Sequence, residues 1–184
     1  MRLTAVPGIT PVTLGSVERT TADLLALLVR LRGPDAERDV GLEAAAIQSA
    51  ELAHAHDAGL LAVVEHPGSD PALLIAGVVA LDRPMDVDSA AELSFYVADS
   101  AAPGIREVST AHTGRGYPVV IVERIAVSGP PAGAQLQAVV IDPDRPRIVV
   151  FTLHSPGGRG WLEVAGVAGT LVTGVDLTAP APVP

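Results

Sequence analysis

The stretch Arg147-Ile148-Val149-Val150-Phe151-Thr152-Leu153-His154 decides the fold. Successive side chains of an extended strand point to opposite faces. Val149, Phe151 and Leu153 therefore share one face, and Ile148, Val150 and Thr152 share the other. A strand apolar on both faces belongs inside a sheet that is covered on both sides. Helices on both faces would satisfy it. Helices on one face only would leave Ile148, Val150 and Thr152 as a protein interface, and both readings stand at this level.

Working upstream, Asp142-Pro143-Asp144-Arg145-Pro146 is too short for a crossover and predicts an antiparallel hairpin with Leu136 to Asp142. Pro118 to Val127 and Glu107 to Thr113 read as two further strands, with a compact connection through Gly129-Pro130-Pro131. Glu123 and Arg124 interrupt an apolar run and face opposite sides, as charges do on an edge strand guarded against aggregation. Downstream, Trp161 to about Val172 carries apolar residues at mostly helical spacing after a glycine-rich turn.

The N-terminal half contributes helices and a hairpin. Leu24, Leu25, Leu28 and Leu31 recur at helical spacing after a Thr20 or Thr21 cap and close at Gly33-Pro34. Pro34 to Gly41 reads as an exposed connection. Gly41 to Ala58 is Ala-rich and proline-free, and predicts a second helix with Gly59 as its stop. Leu60 to Glu65 and Leu73 to Leu81, separated by Pro67-Gly68-Ser69-Asp70-Pro71, predict two antiparallel strands. Asp88 offers a cap for a helix through Leu93, although Leu93 to Val97 also suits a strand. Residues 1–14 read as a Pro-punctuated leader.

The expected architecture is a two-layer α+β domain: a mainly antiparallel sheet packed by N-terminal and C-terminal helices. Residues 1–177 form one domain, and 178–184 a Pro-rich flexible tail.

Composition excludes several function classes. There is no cysteine, which removes disulfides, thiolate metal sites and thiol nucleophiles. The formal net charge is −9, and all 12 basic residues are scattered arginines, so nucleic acid is not an expected partner. Pro71 to Leu81 is far short of the ~20 residues of a spanning helix, so no membrane insertion is expected. With no apolar run of signal-peptide length near Met1, the default location is cytoplasmic.

Three groups of residues could carry chemistry. Glu51 and His54 share a helical face and are potential metal ligands, whereas His56 points nearly opposite to His54. A Glu-x-x-His pair supplies half a metal site; His near a helix C-terminus is also electrostatically favoured without any metal. Gly157, Gly158, Arg159 and Gly160 precede the last helix, where backbone N–H groups can hold an anion, but they lack the P-loop Lys-Ser/Thr. A flexible strand-to-helix turn explains them more simply. His66, His112 and His154 with Ser109, Ser128 and Ser155 allow a Ser-His set on paper, yet no Gly-x-Ser-x-Gly turn exposes a nucleophile. No catalytic residue and no cofactor is assigned.

Gly116-Tyr117-Pro118 leads into Val119-Val120-Ile121-Val122, followed by Leu136-Gln137-Ala138-Val139-Val140-Ile141, Ile148 to Pro156, a closing helix and Val175-Asp176-Leu177. In this layout the C-terminal half resembles the Mog1/PsbP-like family. The resemblance implies an accessory or binding role and transfers no catalytic residue.

The functional expectation is a non-enzymatic module that works by protein contact, including self-association as a homodimer through its sheet. The alternative is a small-molecule or anion-binding enzyme using the turn at Gly157 to Gly160.

Overall fold

A computed structural model describes residues 1–86, 88–100, 104–126 and 133–178, without the side chains of Pro34, Glu37 and Ala126. Seven strands form one antiparallel sheet: β1 (Ile9–Val12), β2 (Leu60–Val64), β3 (Ala72–Ala80), β4 (Ile105–His112), β5 (Pro118–Ala126), β6 (Gly133–Asp142) and β7 (Arg147–Ser155). Their spatial order is β1-β2-β3-β7-β6-β5-β4. The helices are α1 (Val17–Arg32), α2 (Val40–Ala55), α3 (Ser89–Asp99) and α4 (Trp161–Thr173). The protein is thus α+β, with an antiparallel sheet packed by N-terminal and C-terminal helices. Among the described residues, no helix is long and apolar enough to cross a membrane.

The doubly apolar strand, β7, is the fourth of seven and pairs with β3 on one side and β6 on the other. Its Val149, Phe151 and Leu153 are fully buried with Trp161, Val164, Ala168 and Leu171 of α4. The opposite face meets α1 and α2 through Leu61, Val63, Leu73 and Ile75. It meets α3 through Val120, Val122, Ile141 and Ile148. Helices therefore cover both faces, so a second helical layer joins the one expected.

Local chemistry explains where the elements begin and end. Ser16, rather than Thr20 or Thr21, caps α1 by accepting from Arg19 N–H, and Gly33 stops it at φ 96°. Thr20 is instead fully buried. Asp39 accepts from the N–H groups of Gly41 and Leu42 and starts α2, after Pro34–Arg38 has formed a 3₁₀ turn. This helix does not run to Gly59: it ends at Ala55, where Asp57 takes the left-handed conformation at φ 47°. Asp88 stands at the cap position of α3 without a capping bond; Asp86 does the capping, accepting from Ser89 N–H and Oγ–H. These bonds hold the Asp86 carboxyl below its ordinary pKa.

Two expectations change. Residues 9–12 are not part of a leader but form β1, which pairs with β2 from Ile9↔Val64 to Val12↔Leu61. Nor is β5 an edge strand, since it lies between β4 and β6. Its charges serve packing on one face: Glu123 accepts the indole N–H of Trp161 and lies 3.5 Å from Arg106, fastening α4 to the sheet. The connection through Gly129-Pro130-Pro131, and the tail beyond Thr178, lie outside the described residues.

Candidate functional site

On the sheet face that carries α1, α2 and α3, α1 and α2 pack together and α3 stands apart from them. The core beneath α2 ends at β3, and α3 packs on β4 and β5. Between them β7 around Val150 and Thr152 and β6 around Gln135 and Gln137 stay open, forming a slot of about 340 Å³. Its floor is built from cross-strand neighbours on one face: Ile75 opposite Thr152, Gly77 opposite Val150, and Thr152 opposite Gln137. Leu52 and His56, one turn apart near the end of α2, form one wall. Among the described residues, no carboxylate lines the slot.

Exposed apolar side chains border this opening. Leu52 is 48 % exposed and Val79 46 %. Helix α2 buries Leu42, Ala46, Ala50 and Ala53 on its inner face, yet also shows Ile47 and Leu52 to the outside. A helix apolar around its circumference is normally covered on more than one side.

The polar end of the floor carries Gln135, which stands opposite His154 on β7 and opposite Arg124 on β5. Directly paired residues share a face, so Arg124 borders the slot. Its guanidinium has no ion pair among the described residues, and its Nε is buried without a hydrogen-bond partner. Among the arginines of the described residues that lack an ion pair, Arg124 is set apart by this buried nitrogen, since a buried polar group without a partner costs free energy.

Of the residues named for an interface, Val150 and Thr152 line the slot, while Ile148 is covered by the cluster beneath α3. The glycine-rich turn is placed differently from an open anion site. Arg159 is held by Asp70, with Nε at 3.1 Å and Nη2 at 2.8 Å from the same carboxylate oxygen. Gly158 N–H donates to Ser155 Oγ, and Gly160 adopts φ 67° against Ser69. A Cβ at Gly157 would collide with the Asp70 carboxylate. The β2–β3 turn thus places its own anion where an external one was expected.

His54 is committed to the junction of α1 and α2. Thr20 Oγ1 donates to the Thr13 carbonyl and accepts from Gly15 N–H. Its remaining bond, 3.1 Å to His54 Nε2, therefore needs the proton on the imidazole. Glu51 is exposed, and no group of three potential metal ligands occurs among the described residues. Hydrogen bonds from its own backbone N–H and from Ser16 hold the Glu18 carboxyl below its ordinary pKa, with His54 adding a smaller attraction. Ser155 is buried, and as the strand neighbour of His154 it points to the opposite face, so the two do not form a nucleophile–base pair.

One feature escaped the sequence reading. On α3, Glu92, Phe95, Tyr96 and Asp99 recur at i, i+3, i+4 and i+7 and make a single exposed stripe. Phe95 is 76 % exposed and Tyr96 77 %, although the whole chain has only five aromatic residues, two Phe, two Tyr and one Trp. The spacing was visible in the sequence; what hid it was the choice between helix and strand for Leu93 to Val97.

No family model, curated protein or solved structure matches this chain.

Proposed function

We propose that this protein is a non-enzymatic interaction module that acts by covering the slot between α2 and α3 with protein. The observation that carries the reading is the open strip beside α2, where Val150 and Thr152 of β7, Val79 of β3 and Leu52 of α2 leave apolar surface in water on a face otherwise closed by helices. A small ligand would fill the floor but leave the outer side of α2 wet; a protein covers both. The layout resembling the Mog1/PsbP-like family supports an accessory role, and the cytoplasmic setting inferred from composition belongs to the same proposal.

The alternative reading, anion binding at Gly157 to Gly160, would require a ligand to displace Asp70 from Arg159.

A photo-crosslinking amino acid at position 52, introduced in the native cell, tests the proposal. It is expected to trap a protein adduct that is lost on adding Val150→Asp, while the same group at position 162 on the outer side of α4 traps none that Val150→Asp removes. No adduct from position 52, or one indifferent to Val150→Asp, would contradict the reading.

A further inference from the structure

The slot is one helix wide. Strands in a sheet lie ~4.8 Å apart, so the three spacings from β3 across β7 and β6 to β5 span roughly 14 Å. A helix with its side chains is about 10–12 Å across. The floor accordingly has room for one helix between α2 and α3, and among the described residues no element of this chain occupies it.

A matching helix surface lies beside the slot. The α3 stripe has two aromatic residues at its centre, Phe95 and Tyr96, and a carboxylate one turn away on either side, Glu92 and Asp99. Anchors at i, i+3, i+4 and i+7 are how an amphipathic helix engages a groove. The slot offers the complement: apolar Leu52, Ile75, Val79 and Val150 beside neutral Thr152 and Gln137, no carboxylate among the described residues that line it, and at one end Arg124 with its unsatisfied buried nitrogen.

The two surfaces are adjacent on the same face, which is what a self-complementary interface needs. In a two-fold dimer, residue i meets j and j meets i. An axis parallel to the strands and passing between the slot and α3 exchanges these two positions. It lays the α3 of each copy along the slot of the other. The ends also correspond. Asp99 closes α3 shortly before the chain re-enters the sheet at Ile105, and Ile105 is paired with Arg124. An axis along the strands preserves height along the strand direction, so Asp99 of one copy arrives at the Arg124 end of the other.

We propose that the occupant of the slot is a second copy of this chain: a reciprocal dimer in which Phe95 and Tyr96 of each α3 fill the other's slot and Asp99 meets the other's Arg124. This rests on the reading of the slot as a protein-binding surface. Aromatic anchors set into a pocket carry most of the energy of such an interface, and the charged pair sets its register.

The test is sedimentation velocity on purified full-length protein over a concentration series, with circular dichroism confirming that each variant is folded. The wild type is expected to dimerise. Phe95→Glu and Val150→Asp are each expected to weaken the dimer roughly thirtyfold or more. Mixing these two variants should restore part of the association, because Val150→Asp retains an intact α3 stripe and Phe95→Glu an intact slot. Arg124→Glu alone should weaken the dimer, and Arg124→Glu combined with Asp99→Arg in one chain should recover it, since a reciprocal interface then holds two swapped pairs.

A wild type monomeric at every concentration overturns the proposal. So does a dimer lost with Val150→Asp but indifferent to Phe95→Glu, which would leave the slot as a binding surface with a different occupant. A dimer indifferent to both variants overturns the slot reading as well. A monomer whose position 52 still crosslinks to another protein in the cell removes only the second copy as occupant.

Discussion

Asp70 accepts two hydrogen bonds from Arg159, joining the β2–β3 turn to the loop ahead of α4. The Arg159 side chain is 69 % exposed and that of Asp70 27 %, so the pair is a surface tether whose contribution to stability is at most about 1 kcal/mol. Its larger effect is to occupy the guanidinium. Asp70→Asn should change the urea midpoint little, yet make inorganic phosphate raise Tm more than it does for the wild type. Equal responses of the two proteins would show that Arg159 is available to anions despite Asp70.

Trp161 and Glu123 link α4 to β5 in a setting where the carboxylate is largely buried. Glu123→Leu leaves the indole N–H without its acceptor and should cost about 2–3 kcal/mol in urea unfolding. Glu123→Gln keeps an acceptor and gives up the attraction to Arg106; its cost should stay below about 1 kcal/mol.

Thr20 is fully buried and serves Thr13, Gly15 and His54 with one hydroxyl. Thr20→Val preserves shape and strands these partners, so a loss of about 2 kcal/mol is expected. Hydrogen exchange should show the loss as faster opening of α1 and α2, with β5 and β6 unaffected at their own level of protection.

Asp176 gives the structure an acid-sensitive clasp. Hydrogen bonds from Thr178, first its hydroxyl and then its N–H, and the positive charges of Arg115 and Arg2 hold its carboxyl below the ordinary value, against the opposing effect of partial burial. A carboxyl with a lower pKa folded than unfolded stabilises fully above its unfolded pKa, and this contribution disappears as pH falls through the folded one. Asp176→Asn should therefore lower Tm at neutral pH, and its Tm curve should converge with that of the wild type as the solution becomes acidic. Parallel curves would show that Asp176 does not supply this dependence.

The fold was legible wherever a strong period met unambiguous punctuation. Alternation in β7, the Pro-Gly-Ser-Asp-Pro turn before β3 and the Asp142 to Pro146 turn sufficed for the antiparallel pairings. β1 was not legible, because Pro7 and Pro11 resemble a leader and its pairing with β2 is fixed by distant contacts. The end of α2 was misplaced because Asp57, not the following glycine, takes the left-handed turn.

The candidate site was half visible. Two apolar faces on β7 singled out Val150 and Thr152, but the sequence does not reveal that α2 and α3 stop short of each other, since this depends on where whole elements pack. The glycine-rich turn looked like an anion site because Asp70, 89 residues away in the chain, could not be placed beside it.

Because the chain contains no cysteine, the central claim can be tested by disulfide trapping between two single-cysteine variants. Tyr96→Cys and Thr152→Cys are mixed and mildly oxidised, with Leu162→Cys in place of Tyr96→Cys as the control. A reciprocal dimer is expected to give a covalent product of the mixed pair, well above the control and abolished by adding Val150→Asp to the Thr152→Cys chain. A yield no higher than the control would contradict the placement of α3 in the slot.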